Sequence, residues 1–154
     1  MIRSLHALIL FSLVYFSGTP AFAQSGLASF EQDELEIVTQ SGDVHRFDVE
    51  LAIDPKQQSQ GLMFRQRMAA DSGMLFIYKP ARDVVMWMRN TFLPLDMLFI
   101  KSNGFIVRIA ERTVPQSTTR IPAGQKVTGV LELNGGTASR LGIKPGDQVR
   151  HSAF

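Results

Sequence analysis

From Leu35 onward the chain is a succession of short apolar or alternating runs, each closed by a turn signal. Leu35–Val38 and Val44–Leu51 alternate apolar and polar residues on either side of Gln40-Ser41-Gly42-Asp43, the pattern of a β-hairpin. Met74–Tyr78 and Val84–Met88 read as strands, and Asp96–Lys101 and Phe105–Glu111 flank Ser102-Asn103-Gly104, a second hairpin. Val127–Leu133 is a further strand, and a last one near Gln148–His151 is entered through the tight turn Lys144-Pro145-Gly146-Asp147. Helix is sparse. Asp54-Pro55 combines an N-cap with a first-turn proline and opens a helix to about Phe64, within which Gly61 marks close packing or an early end. Thr137–Leu141 forms one helical turn after Gly135-Gly136, with Thr137 as its N-cap, and residues 113–125 form a polar loop. Many short strands at close spacing with little helix predict one compact α+β domain. Its sheet is curved and mainly antiparallel, barrel- or sandwich-like, with one or two short helices.

The N-terminus follows a different rule. Arg3 and His6 precede the apolar run Leu8–Phe16, Gly18 and Pro20 break it, and Ala21-Phe22-Ala23 places small residues at −3 and −1 of a cut before Gln24. This is the layout of a cleavable signal peptide over residues 1–23. The apolar run is too short for a membrane span, which needs ~20 residues. The expectation is an exported protein, periplasmic or secreted, with a flexible lead-in over 24–33, a domain over 34–154 and no span in the mature chain. The 154 residues include no cysteine, which excludes disulfides, thiol chemistry, Cys-based zinc sites and a cysteine-borne lipid anchor. His45 and His151 are the imidazoles of the mature chain.

Charge is unevenly spread. Residues 24–54 carry eight acids against Arg46 alone, whereas residues 55–154 carry 14 bases and six acids. The favoured reading is that the acidic N-terminal hairpin pairs with basic strands of the same fold. Scattered arginines without interleaved aromatics do not suggest nucleic acid.

Two acids stand out. Asp96 alternates with Leu98 and Ile100, and Glu132 with Thr128 and Val130, so each points toward apolar neighbours. A buried carboxylate needs a partner or must keep its proton. Arg65, Arg67, Arg89 and Asn90 are at hand as partners, which favours a buried Arg–carboxylate brace; an acid/base pair in a pocket is the alternative. Met86-Trp87-Met88, near Met63, Met68, Met74 and Met97, raises a Cu(I) site built from thioethers. On a strand, however, Met86 and Met88 share one face and Trp87 takes the other. There is no Gly-x-Ser-x-Gly elbow and no phosphate-binding Gly-rich loop.

Gly61-Leu62-Met63-x-Arg65, Gly73-Met74-Leu75-Phe76, Trp87-Met88-x-Asn90-Thr91-x-x-Pro94-Leu95-Asp96, Val130-Leu131-Glu132-Leu133-Asn134 with Gly136, and Gly146-Asp147 occur in this order. Together they resemble the domain-of-unknown-function family DUF192, also called UPF0127, over about residues 34–151. Met86 stands where that family usually has an aromatic, and Arg89 where it usually has Lys. The resemblance implies an exported single domain with a dominant sheet and no assigned activity.

Three functions follow as expectations. The first is a non-catalytic binding or accessory module, without a cofactor, whose pocket is ringed by Arg65, Trp87, Asn90, Thr91, Asp96 and Glu132. Its partner would be a small polar ligand or an envelope component. The second is a hydrolase acting on sugar or envelope polymers, with Asp96 and Glu132 as acid and base; it requires their carboxyl groups within roughly 5–10 Å. The third is a copper-binding protein using Met86 and Met88. Expressed in an exporting bacterial host, the mature protein should begin at Gln24. Ala23→Arg should leave the uncleaved chain, and intact mass distinguishes the two.

Overall fold

A computed structural model describes residues 26–154; the signal-peptide expectation concerns residues 1–23, outside the described residues. The elements in chain order are β1 (Glu31–Val38), β2 (Val44–Ala52), α1 (Pro55–Gln60), β3 (Ser72–Met86), β4 (Leu95–Ile100), β5 (Ile106–Ala110), β6 (Ile121–Asn134), α2 (Thr137–Leu141) and β7 (Gln148–Arg150). They form one seven-stranded sheet in the order β5-β4-β6-β3-β2-β1-β7. All neighbours are antiparallel except β2 and β3, which run parallel and are joined through α1. The two outer strands approach each other. Phe105 bridges Gln148, and the Val149 N–H donates to the Gly104 carbonyl at 2.8 Å, so the sheet nearly closes into a barrel. The fold is therefore the expected α+β domain with a curved, mainly antiparallel sheet.

The barrel has two apolar layers. Leu35, Ile37, Val49, Leu75, Leu98, Ile106, Leu131 and Val149, drawn from all seven strands, pack inside it with Ala138 and Ile143. A second cluster lies on the outer face of β3, β4 and β6 and includes Met74, Phe76, Met97, Phe99 and Val130. Every residue of β4 is buried as a result. Strand alternation sends successive side chains to opposite faces, so a run such as Leu95–Ile100 must be compatible with both layers.

Several boundaries differ from the sequence expectations. β1 begins at Glu31, four residues before Leu35, because its polar first half still pairs with β2 as far as Leu51. β3 is one strand where two were expected. Both of its halves pair with β6, and register shifts between Ile77 and Arg82 absorb the exposed Lys79-Pro80 segment. β6 starts at Ile121, inside the expected polar loop; Pro122 is tolerated there because β4 pairs with β6 only from Gly129 onward. α1 is capped as expected, with the Gln57 N–H donating to Asp54 Oδ1 at 2.8 Å and Pro55 in the first turn. It ends at Gln60 rather than near Phe64. Gly61 has φ +49°, and a Cβ there would lie 2.9 Å from the Phe76 ring.

Among the described residues the acidic hairpin is paired in part, and by a loop, the C-terminal tail and its own Arg46, not by the basic strands expected. Glu50 pairs with Arg65 after α1, Asp33 with His151 after β7, and Glu36 with Arg46 inside the hairpin.

Asp96 anchors the end of the barrel and is fully buried. Its carboxylate accepts three backbone N–H bonds, each at 2.8 Å: Arg112 and Gly136 donate to Oδ1, and Ala138 donates to Oδ2. The expected arginine brace is thus replaced by main-chain amides, and Arg112 contributes its backbone, not its guanidinium. The expected Thr137 N-cap is also corrected. The cap position is Gly136, which has no side chain, and Asp96 supplies the missing acceptor from β4. Asp96→Asn should cost ~3 kcal/mol, since one oxygen becomes an N–H₂ group facing a buried donor. The thermal midpoint should then fall by on the order of 10 °C in calorimetry.

Candidate functional site

The cover over the outer layer is incomplete between α1, β3 and the segment after β3. The gap is a cavity of about 490 Å³. β3 supplies Phe76 and Tyr78, which share a face with Met74 because they alternate along the strand. α1 supplies Gln58 and Ser59, and the residues just beyond it supply Leu62 and Met63. Met86, Trp87 and Thr91 form the opposite wall, with Trp87 49% exposed on the lip. Gly61 allows α1 to end directly against Phe76, which sets the width of this side.

Glu132 lines the cavity from the sheet. It is the cross-strand partner of Met74 on β3 and of Met97 on β4, so apolar side chains flank it on both sides. It is only 4% exposed. Among the described residues, no side chain or backbone group donates a hydrogen bond to its carboxyl or forms an ion pair with it. Burial alone pushes the carboxyl up to about 8, from an ordinary value near 4.5. Burial, followed by the charge of Glu132, raises the Tyr78 phenol above its usual value as well, which keeps it protonated. Tyr78 Oη lies 3.7 Å from Met86 Sδ. Arg82 is held at the rim. Its guanidinium stacks 4.5 Å above the Tyr78 ring and donates to Gln58 Oε1 at 3.1 Å.

Three of the six expected pocket residues therefore meet here: Trp87, Thr91 and Glu132. Asn90 lies beside them, against Met63 and Phe64 in a neighbouring cavity that Trp87 also lines. Its φ of +55° and its carbonyl, which accepts the Phe64 N–H at 2.9 Å, show a turn residue that ties the segment after α1 to the segment after β3. Arg65 lines a separate small cavity and is bound to Glu50. Asp96 is on the other face of the sheet. The register pairs Asp96 with Leu133 and Met97 with Glu132, so the two carboxyls point to opposite layers and form no acid/base pair. Met86 and Met88 are also separated. Met86 lines the cavity, whereas Met88 is fully buried outside it, with its sulfur 3.0 Å from the Thr113 hydroxyl. Trp87, expected opposite Met86, lines the same cavity as Met86, because β3 ends there and the alternation stops.

Sequence reasoning missed Phe76, Tyr78 and Gln58. The period of two from Met74 through Phe76 to Tyr78 was a usable signal for the first two. It also missed Asp147, buried near the barrel seam, which accepts the Lys144 N–H at 2.7 Å and the Gln40 N–H at 3.0 Å.

The family model DUF192, described as "Uncharacterized ACR", matches residues 36–151, and the chain belongs to that family. Two solved structures are similar in both sequence and fold. A protein of Sinorhizobium meliloti 1021, described as a candidate transcription regulator, is 49% identical with a TM-score of 0.81, over 84% of this chain and 100% of that one. A protein of unknown function from Novosphingobium aromaticivorans DSM 12444 is 40% identical with a TM-score of 0.76, over 88% and 94% of the two chains. No curated protein matches the chain.

The raised Glu132 carboxyl makes stability depend on pH in a defined direction. Between about pH 4.5 and 8 the folded state holds a proton that the unfolded state has lost, so stability is full below this window and falls as pH rises through it. The slope reaches at most about 1.4 kcal/mol per pH unit. Urea unfolding at pH 5 and pH 8.5 should show this loss in the wild type, and Glu132→Gln should flatten it.

Proposed function

We propose that this chain is an exported binding module, not a catalyst, and that its ligand occupies the cavity over Glu132. The observation that carries this reading is a nearly buried carboxyl without a partner among the described residues, lining an open cavity of about 490 Å³. A protein ordinarily satisfies its buried polar groups, and a group left over in a cavity is one that a ligand can satisfy. The volume lies in the range of small-molecule sites, and the walls combine aromatic and thioether surface with polar side chains such as Gln58, Ser59, Arg82, Asp83 and Thr91. Export is supported by the charge, apolar core and small-residue cut site over residues 1–23. Catalysis by an Asp96–Glu132 pair is disfavoured, because the two groups occupy different layers of the fold.

The test uses mature protein purified from the exported compartment. Native mass spectrometry should show a bound organic mass that disappears on denaturation. Ser59 is exposed on the α1 wall, so Ser59→Trp should fill the cavity mouth without disturbing the core and should abolish that mass. A bound mass unchanged by Ser59→Trp would place the ligand elsewhere and end this reading.

A further inference from the structure

The three buried acids of the domain are treated differently. Asp96 receives three backbone amides, and Asp147 receives two together with the Gln40 side-chain amide. Glu132 receives none among the described residues, although β6 brings it to the same degree of burial. Its surroundings would suit neither an anion nor a hard metal ion. Leu62, Phe76 and Met86 line the cavity and donate nothing to an anion. A hard divalent cation takes six or more oxygen ligands, and among the described residues there is no group of three or more His, Cys, Asp or Glu side chains that could hold a metal. The one guanidinium that lines the cavity, Arg82, is engaged at the rim by the Tyr78 ring and Gln58.

A cavity with mixed walls, whose carboxyl on the sheet side has no partner among the described residues, has a definite complement. We propose that the Glu132 cavity takes a primary organic ammonium ion on an apolar stem, an alkylamine or arylalkylamine, with its nitrogen seated on the Glu132 carboxylate. This rests on the reading of the cavity as a ligand site. The stem lies against Phe76, Leu62 and Met86, with Trp87 at the lip. The ammonium brings three donors to a group that has none. Seating it requires the ionised carboxyl, so the exchange is Glu132–COOH + R–NH₃⁺ → Glu132–COO⁻·⁺H₃N–R + H⁺. The other charged or titratable groups lining the cavity are Tyr78, Arg82 and Asp83 of β3. α1 contributes the uncharged Gln58, Ser59 and Gln60, β4 faces Glu132 with Met97, and the segment after β3 contributes Trp87 and Thr91. Glu132 is therefore the group whose proton is displaced, because Tyr78 holds its own through this range.

Calorimetric titration with three probes of similar shape tests the proposal: 2-phenylethylamine, 2-phenylethanol and 3-phenylpropionate. At pH 8.5 the amine should bind the wild type at least tenfold more tightly than the alcohol. Its affinity should fall by about tenfold per pH unit below pH 8, with release of close to one proton on binding. Glu132→Gln should remove the preference for the amine while retaining weak binding of the alcohol, which shows that the cavity is intact. Equal or tighter binding of the alcohol or the carboxylate would overturn the ammonium assignment and leave the cavity standing as a ligand site. Amine binding unchanged in Glu132→Gln, or no binding of any probe, would overturn it as well. If Ser59→Trp also leaves the native bound mass unchanged, the cavity reading fails independently.

Discussion

β4, Gly73–Phe76 of β3 and Val127–Leu133 of β6 are buried on both faces, and most of this domain follows from that. A closed barrel needs an apolar interior, but here its outer wall is apolar over three adjacent strands as well. Apolar area left in water costs roughly 25 cal/mol per Å², so that wall must be covered. The cover consists of α1, the segment leading to β3, the segment between β3 and β4, and the loop after β5. These pieces are short and irregular, and hydrogen bonds tie them to one another and to the sheet, among them the Phe64 N–H on the Asn90 carbonyl, the Gln116 N–H on the Thr91 carbonyl, the Met88 N–H on the Ser117 carbonyl and the Thr113 N–H on the Leu95 carbonyl. A sheet covered by a second complete layer would have no cavity. A sheet covered by loops leaves one where they fail to meet.

The same two-layer arrangement gives Asp96 and Glu132 their opposite fates. Both stand on doubly buried strands, and both would be destabilising without a partner. Asp96 faces the barrel end, where α2 begins and a chain turn approaches, so free amides converge on it. Its role is structural: it joins β4 to the turn after β5 and to the start of α2. Glu132 faces the outer layer, where β3 and β4 oppose it with methionines and the loops stop short. What would otherwise be a defect in the sheet becomes the floor of a recess with mixed walls.

Membership of the DUF192 family and the likeness to two solved structures agree with the barrel as a unit, since the match spans residues 36–151 and the structural likeness reaches 84–88% of the chain. Fold alone does not carry function. Glu132 and the cavity walls around it carry the proposed function.

Much of this was legible in the sequence. Strand alternation identified Asp96 and Glu132 as acids facing apolar neighbours, the capped start of α1 was visible in Asp54-Pro55, and the turn residues placed both hairpins. These features depend on neighbours within a few residues, so local pattern determines them. The partner of Asp96 was not legible, because the amides it binds belong to residues 112, 136 and 138, and main-chain donors leave no mark on residue type. Nor was the separation of Asp96 from Glu132, which depends on the β4–β6 register; a shift of one residue would have put them on the same face. The cavity was the least visible of all. It is formed by the failure of α1, β3 and the Trp87–Thr91 segment to meet over β6, and only the tertiary arrangement of pieces distant in sequence decides whether a buried acid ends beneath a packed side chain or beneath open space.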